Sequence, residues 1–461
     1  MLHESILSEL KAAAGAEHVL TTIEDLICHS FDATFEEHLP DVVVLPGSTE
    51  AVSRVLRVAQ RHGLPVVPQG MGSGLAAGAV PFTGGIALSL TRMDRILEID
   101  PVNMTAVVEA GVITAYLAEQ VEARGLFYPP DPGSIKHSTL GGNVACNAGG
   151  PRCLKYGVTG NYVRGLTAVL ADGRVLHTGG KTIKNVTGYN LTQLLVGSEG
   201  TLAVITEVVL KLIPRPRHVR TALAIFRLLD DACKAVSRVL MAGVIPTTLE
   251  LLDETAIACI EQALHMGLPL DQQAILLLEA DGNNEVLVLK EIDTISAVCL
   301  QCGATELRIA RDEAERADLW RARRSLSPAF ARLAPNFLGE DMCVPRSEVP
   351  RMVQRVKEIA RKHDVPVVVF GHAGDGNLHP TPLFDRRDAL QWARVEQAAE
   401  ETFIAALELG GTLSGEHGIG TLKRDYMALA LGATSIDVQR RIKQALDPKN
   451  ILNPGKMLPP A

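Results

Sequence analysis

Aromatic side chains make up only 4% of this 461-residue chain, and no cluster of them sits within a basic stretch. Nucleic-acid surfaces combine stacking aromatics with a basic stripe. Here 53 acidic residues outweigh 45 basic ones, for a net charge of −8, which argues against a nucleic-acid partner. No uninterrupted apolar segment reaches the ~18 residues of a membrane-spanning helix. The opening Met1-Leu2-His3-Glu4-Ser5 has neither the basic start nor the apolar core of a secretory signal. The expectation is a cytoplasmic protein with no transmembrane span. The eight cysteines are scattered without a disulfide-framework spacing, and the one C-x-x-C, Cys299 to Cys302, has no second pair to build a metal or iron–sulfur cluster. The dinucleotide fingerprint G-x-G-x-x-G is also missing from the glycine-rich loop that follows the first strand–helix–strand unit, which argues against a nicotinamide site.

At this length a single core gives way to two, since cores stop growing near ~250–300 residues. From Asp41 the pattern reads strand, helix, strand: Val42-Val43-Val44-Leu45, then Ser48 as N-cap with Val52, Val55, Leu56 and Ala59 on one face, then Leu64-Pro65-Val66-Val67 after Gly63. Strands are expected at Ile86–Leu90, Ile96–Ile99, Thr105–Glu109, Leu166–Leu170 and Leu202–Leu212, with a helix over Ala115–Ala123. Pro214-Arg215-Pro216 marks the domain border, because paired prolines fit neither a helix interior nor a central strand. Beyond it, helices over Asp231–Met241, Asn284–Cys299 and Val349–His363 alternate with strands at Thr221–Ile225 and Ala274–Glu279, an α+β pattern.

Two polar clusters carry the chemistry. In Gly371-His372-Ala373-Gly374-Asp375-Gly376-Asn377-Leu378-His379, the apolar run Val367–Phe370 reads as a buried strand and Gly374–Asn377 as its turn, so His372 and His379 face each other across a hairpin. The second cluster, Gly415-Glu416-His417-Gly418, adds a carboxylate and a third imidazole on neighbouring residues that point in different directions. Two imidazoles and a carboxylate suit zinc, iron or manganese and leave coordination positions for a substrate.

Glycine-rich elements form a third signal. Gly70-Met71-Gly72-Ser73-Gly74 follows a strand and offers successive amides to a phosphate. Pro132-Gly133-Ser134 with Ser138-Thr139-Leu140-Gly141-Gly142-Asn143, and Gly197-Ser198-Glu199-Gly200-Thr201-Leu202, repeat that chemistry. Three such elements in one domain point to a large, extended cofactor.

Together with Asp447-Pro448-Lys449-Asn450-Ile451-Leu452-Asn453-Pro454-Gly455-Lys456, these motifs resemble, in order and over almost the whole chain, the vanillyl-alcohol-oxidase-type flavoproteins. Within them the likeness is to the branch of FAD-linked D-lactate dehydrogenases and the flavin subunit of glycolate oxidase. The resemblance implies an α+β fold with a two-subdomain PCMH-type FAD-binding domain at 36–217 after a helical segment at 1–35. A cap domain with an antiparallel sheet flanked by helices would follow at 218–420, and a tail at 421–461 would return to the FAD domain. By motif position FAD would be touched by Gly70, Met71, Gly72, Ser73, Gly74, Pro132, Gly133, Ser138, Gly141, Gly142, Asn143, Gly200, Ile205 and Asn453. The attachment would be non-covalent, because the Pro68–Leu75 loop has no histidine to tether flavin. A divalent metal, zinc favoured over iron or manganese, would sit on His372, His379 and Glu416. His417 would be the general base, Arg323 with Ser327 one helical turn later would bind the substrate carboxylate, and Asn377 would line the same site.

The implied reaction is oxidation of a small (R)-2-hydroxy acid, D-lactate or glycolate, to the 2-oxo acid, with hydride passing to flavin N5 and electrons leaving to an acceptor other than NAD. Relatives acting on dicarboxylates tend to place a lysine shortly before the Asp-x-x-x-Pro element. Phe337-Leu338-Gly339-Glu340-Asp341-Met342-Cys343-Val344-Pro345 has none, which argues against a 2-hydroxyglutarate-type substrate. Two alternatives stay open: a flavin alcohol oxidase using oxygen, and a flavin electron-transfer subunit docked to an iron–sulfur or electron-transfer-flavoprotein partner, peripheral to the inner membrane through that partner. A homodimer is left open as well.

Overall fold

The computed structural model describes residues 2–460, whose helices and sheets fall into two units. The first takes in residues 2–149, 158–215 and 416–460, and the second takes in 150–157 and 216–415.

The first unit starts from the strand–helix–strand signal. Strands Val42–Val44 and Val66–Gln69 lie parallel on either side of Ile86–Ser89, and Val19–Leu20 closes the sheet antiparallel to Val42–Val44. Between them the helix Thr49–His62 begins where the Ser48 side chain accepts the Ala51 amide and ends at Gly63, whose φ of 65° is costly for any residue with a Cβ. Its apolar face, Val52, Val55, Leu56 and Ala59, is fully buried in the core of this sheet. A second, antiparallel sheet runs in the order Ile96–Asp100, Thr105–Glu109, Val204–Lys211, Val163–Val169, Val175–Gly179. The strand Val175–Gly179 and the helix Leu140–Cys146, which starts within the second glycine stretch, were not legible in the sequence.

The C-terminal segment completes this unit. The Val66 amide donates to the Ile451 carbonyl at 2.7 Å, and the Asn453 amide donates back to the Val66 carbonyl at 2.8 Å. Just before this, the helical residues Met427–Leu446, broken at Gly432 (φ 76°), present Lys443 inward. Its ammonium donates to the carbonyls of Thr201 at 2.8 Å and Leu452 at 2.7 Å and to the fully buried Asp447 at 2.5 Å. Asp447 also accepts the amides of Ile451 and Leu452, so the turn after the helix is built around one ion pair.

The second unit is an antiparallel sheet in the order Ala304–Ile309, His218–Phe226, Ala274–Gly282, Thr248–Asp253, Val367–His372, Asn377–Phe384, Asn336–Phe337, with Met342–Cys343 also paired to Asn377–Phe384. Helices Glu254–Leu264, Glu285–Gln301 and Val349–His363 pack on it.

Three boundaries differ from the sequence reading. Residues 150–157 belong to the second unit, because Lys155 donates to the carboxylate of Asp281 at 2.6 Å and the Tyr156 hydroxyl donates to the same carboxylate at 2.9 Å. The later border lies at 415/416, ahead of residue 421: Asp341 holds the Gly415 amide in the second unit, whereas Glu199 holds the amides of Ile419 and Gly420 in the first. Arg323 and Ser327 do not share one helix, since Glu313–Arg324 ends at Ser325 and a separate short helix, Leu326–Phe330, carries an exposed Ser327.

Replacing Lys443 by Met would leave the Asp447 charge buried without its cation, a change that costs about 3–5 kcal/mol. Chemical denaturation of Lys443→Met should show a loss of that order; a midpoint equal to the parent's would mean that other contacts hold the tail.

Candidate active site

The two histidines of the first cluster are brought together as the hairpin pattern requires. Val367–His372 and Asn377–Phe384 pair antiparallel, with His372 opposite Asn377 and Phe370 opposite His379. The imidazole rings of His372 and His379 lie 5.2 Å apart at their centroids, nearly perpendicular, and both residues are buried. Gly371 makes the close approach possible: a Cβ there would lie 2.5 Å from the Asn377 carbonyl.

Each imidazole is anchored through Nδ1. His372 Nδ1 lies 2.5 Å from Glu250 Oε1, and His379 Nδ1 lies 3.3 Å from the Glu340 carbonyl. Both partners are acceptors, so Nδ1 carries the proton in each ring and Nε2 is the nitrogen suited to a metal. Glu250, fully buried in strand Thr248–Asp253, was missed by the sequence reading. Its one signal was a charge inside an apolar strand, Thr248-Leu249-Glu250-Leu251-Leu252. Burial pushes its carboxyl toward protonation, but the neighbouring His372 and Arg323 outweigh that and hold it below the ordinary carboxylate range.

Arg323 is not a solvated helix charge. Its Nε donates to Glu250 Oε2 at 2.6 Å, and its guanidinium lies over the Phe370 ring, 4.8 Å from the centroid. Phe370 in turn packs against His379 at 5.4 Å. Asn377 is less available to a substrate than its position suggested. Its amide nitrogen donates to Asp341 Oδ1 at 2.6 Å and to the Met342 carbonyl at 3.0 Å.

Asp341 also fixes the start of the second cluster. Its Oδ2 accepts from the Ser414 hydroxyl at 2.6 Å and from the Gly415 amide at 2.9 Å. Gly415 has no room for a side chain, because a Cβ would lie 2.3 Å from the Asn377 amide nitrogen. Glu416 is the next residue, one peptide link from this anchored glycine. His372 and His379 belong to the second unit, and Glu416 and His417 open the last segment of the first. Both oxygens of Asp341 already accept protein hydrogen bonds, which makes the two imidazoles the better ligands within the second unit.

The three glycine-rich elements converge within the first unit. A Cβ on Gly70 would fall 2.4 Å from Thr139 Oγ1, and one on Gly200 (φ 69°) 3.1 Å from Pro68. The amides of Gly197 and Glu199 donate to the carbonyls of Val144 and Ala145. Among the described residues, no protein acceptor takes the amides of Gly70, Met71, Gly72, Ser73 or Gly74, which suits this loop to a pyrophosphate.

The second element contributes shape more than amides. The Leu140 and Gly141 amides donate to Val112 and Ala110 carbonyls, and the Gly142 amide donates to Thr139 Oγ1. Asn143 and Ser138 are tied to Thr114, while Gly133, next to Pro132 in the preceding turn, faces open space. Ile205 lies at a bulge in Val204–Lys211. Asn453 spends its amide nitrogen on the carbonyls of Gly78 and Glu199, leaving its buried Oδ1, like the buried Ser198 hydroxyl, without a protein partner. Unused amides and orphaned buried oxygens around residues with no space for side chains fit a bound flavin nucleotide.

Comparison with known proteins agrees. A model for an FAD binding domain matches residues 40–179, and one for the C-terminal domain of FAD linked oxidases matches residues 215–457. Glycolate oxidase subunit GlcD of Bacillus subtilis is 45% identical over 99% of this chain and 97% of its own length. D-lactate dehydrogenase of Anaerostipes hadrus is 37% identical, covering 94% of this chain and 93% of its own. The structure of p-cresol methylhydroxylase with substrate bound matches at a TM-score of 0.82 over 99% of this chain and 97% of that one, with 18% identity, a likeness of fold alone. The chain therefore belongs to the FAD-linked oxidases, in the branch of the D-lactate dehydrogenases and glycolate oxidase subunits, and is an FAD-dependent oxidoreductase of PCMH-type fold.

Proposed function

We propose that the protein is a metal-dependent flavin dehydrogenase that oxidises a small (R)-2-hydroxy acid, D-lactate or glycolate, to the 2-oxo acid, and that its electrons leave to an acceptor other than NAD. The observation that carries this reading is the buried pair His372 and His379, each anchored through Nδ1, in a chain whose relatives include glycolate oxidase subunits and D-lactate dehydrogenases.

FAD is held non-covalently by the 70–74 loop and the residues around it, and when bound it supplies the hydride acceptor. A divalent ion, zinc favoured by two nitrogens and one carboxylate, is held by His372, His379 and Glu416, and when bound it supplies Lewis-acid polarisation of the substrate hydroxyl. The remaining work falls to side chains. An alcohol proton is too weakly acidic for unaided imidazole at neutral pH. His417, next to Glu416 in the chain, removes it from the polarised hydroxyl, a general-base task that imidazole commonly performs. Arg323 binds the substrate carboxylate through its two terminal nitrogens, because its Nε is already committed to Glu250. Ser327 and the Asn377 side-chain oxygen are secondary contacts in this scheme.

With no lysine before Asp341 to meet a second carboxylate, the site favours monocarboxylates. The missing dinucleotide fingerprint and the unclustered cysteines send the electrons to a separate partner, an iron–sulfur protein or an electron-transfer flavoprotein. No helix among the described residues is long and apolar enough to cross a membrane.

Replacing His379 or Glu416 with Ala should abolish substrate-driven bleaching of the flavin while the yellow cofactor stays bound, because the flavin loops are built from other residues. Full activity in protein stripped of metal and shown to be metal-free would sink the metal reading. Replacing His417 with Ala should slow single-turnover flavin reduction by roughly 10²–10⁴-fold with metal content unchanged; a large loss of metal would make it a ligand instead. In anaerobic assays D-lactate or glycolate should reduce the flavin much faster than L-lactate or D-2-hydroxyglutarate. Artificial dyes should then support turnover that NAD and air do not. Peroxide formed as fast as dye is reduced would replace this reading with an oxidase.

A further inference from the structure

Glu250 differs from the other anchors of the site in joining two groups with separate tasks. It lies at the centre of the second unit's sheet, with no exposed surface, and each of its oxygens has one donor: Oε1 takes His372 Nδ1 at 2.5 Å and Oε2 takes Arg323 Nε at 2.6 Å. Arg323 comes from the helix Glu313–Arg324 and His372 from the strand Val367–His372, and beside the packing of Arg323 on Phe370 of that strand, Glu250 is the hydrogen-bonded link between them. We infer that Glu250 is a positioning residue that couples the metal-ligand geometry of His372 to the carboxylate-binding geometry of Arg323, so that ion affinity and substrate affinity rise and fall together. The inference rests on the ligand and substrate roles proposed above and adds a dependence between them.

The physical basis is acceptor count. A carboxylate accepts on both oxygens and serves two donors at once, whereas a carboxamide of the same size accepts on one side and donates on the other. In Glu250→Gln, one of the two contacts must be lost or turned into an opposed pair of donors. If the amide turns its NH₂ toward His372, the ring must present Nδ1 as acceptor and carry its proton on Nε2, the nitrogen needed for a metal. If it turns toward Arg323, the guanidinium loses its Nε anchor. Loss of a carboxylate partner behind a ligating histidine typically weakens metal binding 10–100-fold.

The test measures zinc affinity without turnover, by competition with a chromophoric chelator in metal-stripped protein that retains FAD, and then measures KM for D-lactate in the zinc-loaded protein. Glu250→Gln should bind zinc roughly 10–100-fold more weakly and show a raised KM. Arg323→Met, at a partly exposed helix position that leaves the buried carboxylate in place, guards against misfolding of the first variant. It removes the substrate-side arm while the methionine side chain keeps apolar packing on Phe370, yet should also weaken zinc severalfold, because Glu250 is then free to turn away from His372. Zinc affinity equal to wild type in a folded Glu250→Gln protein, or in Arg323→Met, would overturn the coupling. A wild-type protein that binds no zinc, with His379→Ala indistinguishable from it, would instead overturn the metal reading on which the coupling depends.

Discussion

Buried carboxylates with a donor on each oxygen hold this protein's functional segments in place. A carboxylate removed from water must recover the hydration it loses, and it does so only if charged or polar hydrogens reach both oxygens. Glu250 meets the demand with His372 and Arg323, and Asp341 with Asn377, Ser414 and the Gly415 amide. Glu199 takes the amides of Ile419 and Gly420, and Asp447 takes Lys443 with two amides of its own turn. In each case the constraint that makes burial tolerable also fixes a segment of chain that the chemistry or the tail closure uses. Glu199 illustrates the balance: burial raises its carboxyl pKa, and the two amides, followed by Lys456 and Lys423, oppose that rise.

What the sequence made legible were the features governed by local rules. The hairpin that juxtaposes His372 and His379 follows from an apolar run, a glycine-rich turn and the two-residue period of strands. The helix Thr49–His62 follows from Ser48, Gly63 and a stripe of apolar positions. The glycine loops announced a large cofactor because three of them fall within one domain.

Features set by distant partners were not legible. Glu250 and Arg323 are 73 residues apart, and nothing local distinguishes Arg323 from Arg321 or Arg324 on the same helix. The short helix Cys153–Tyr156 lies between Gly150 and Gly157, and its allegiance is decided by Asp281, more than a hundred residues later. Resemblance to a family supplied the order of the motifs. It did not reveal that the amides at Gly141 and Gly142 are already spent within the protein, or that Asn377 serves Asp341.

The threading of the chain bears on its synthesis. Residues 150–157 leave the ribosome early but find their partners only after strand Ala274–Gly282 has emerged, and the first unit's Val66 edge waits for Ile451 and Asn453, hundreds of residues later. The first unit is therefore not a domain that finishes folding as it emerges. The strand edge stays open until Ile451 and Asn453 arrive, and Lys155 waits for Asp281. Contacts of such wide sequence separation slow folding and prolong the exposure of sticky intermediates. A fragment ending at the Pro214–Pro216 border would keep the Val66 edge open and leave Lys155 without Asp281.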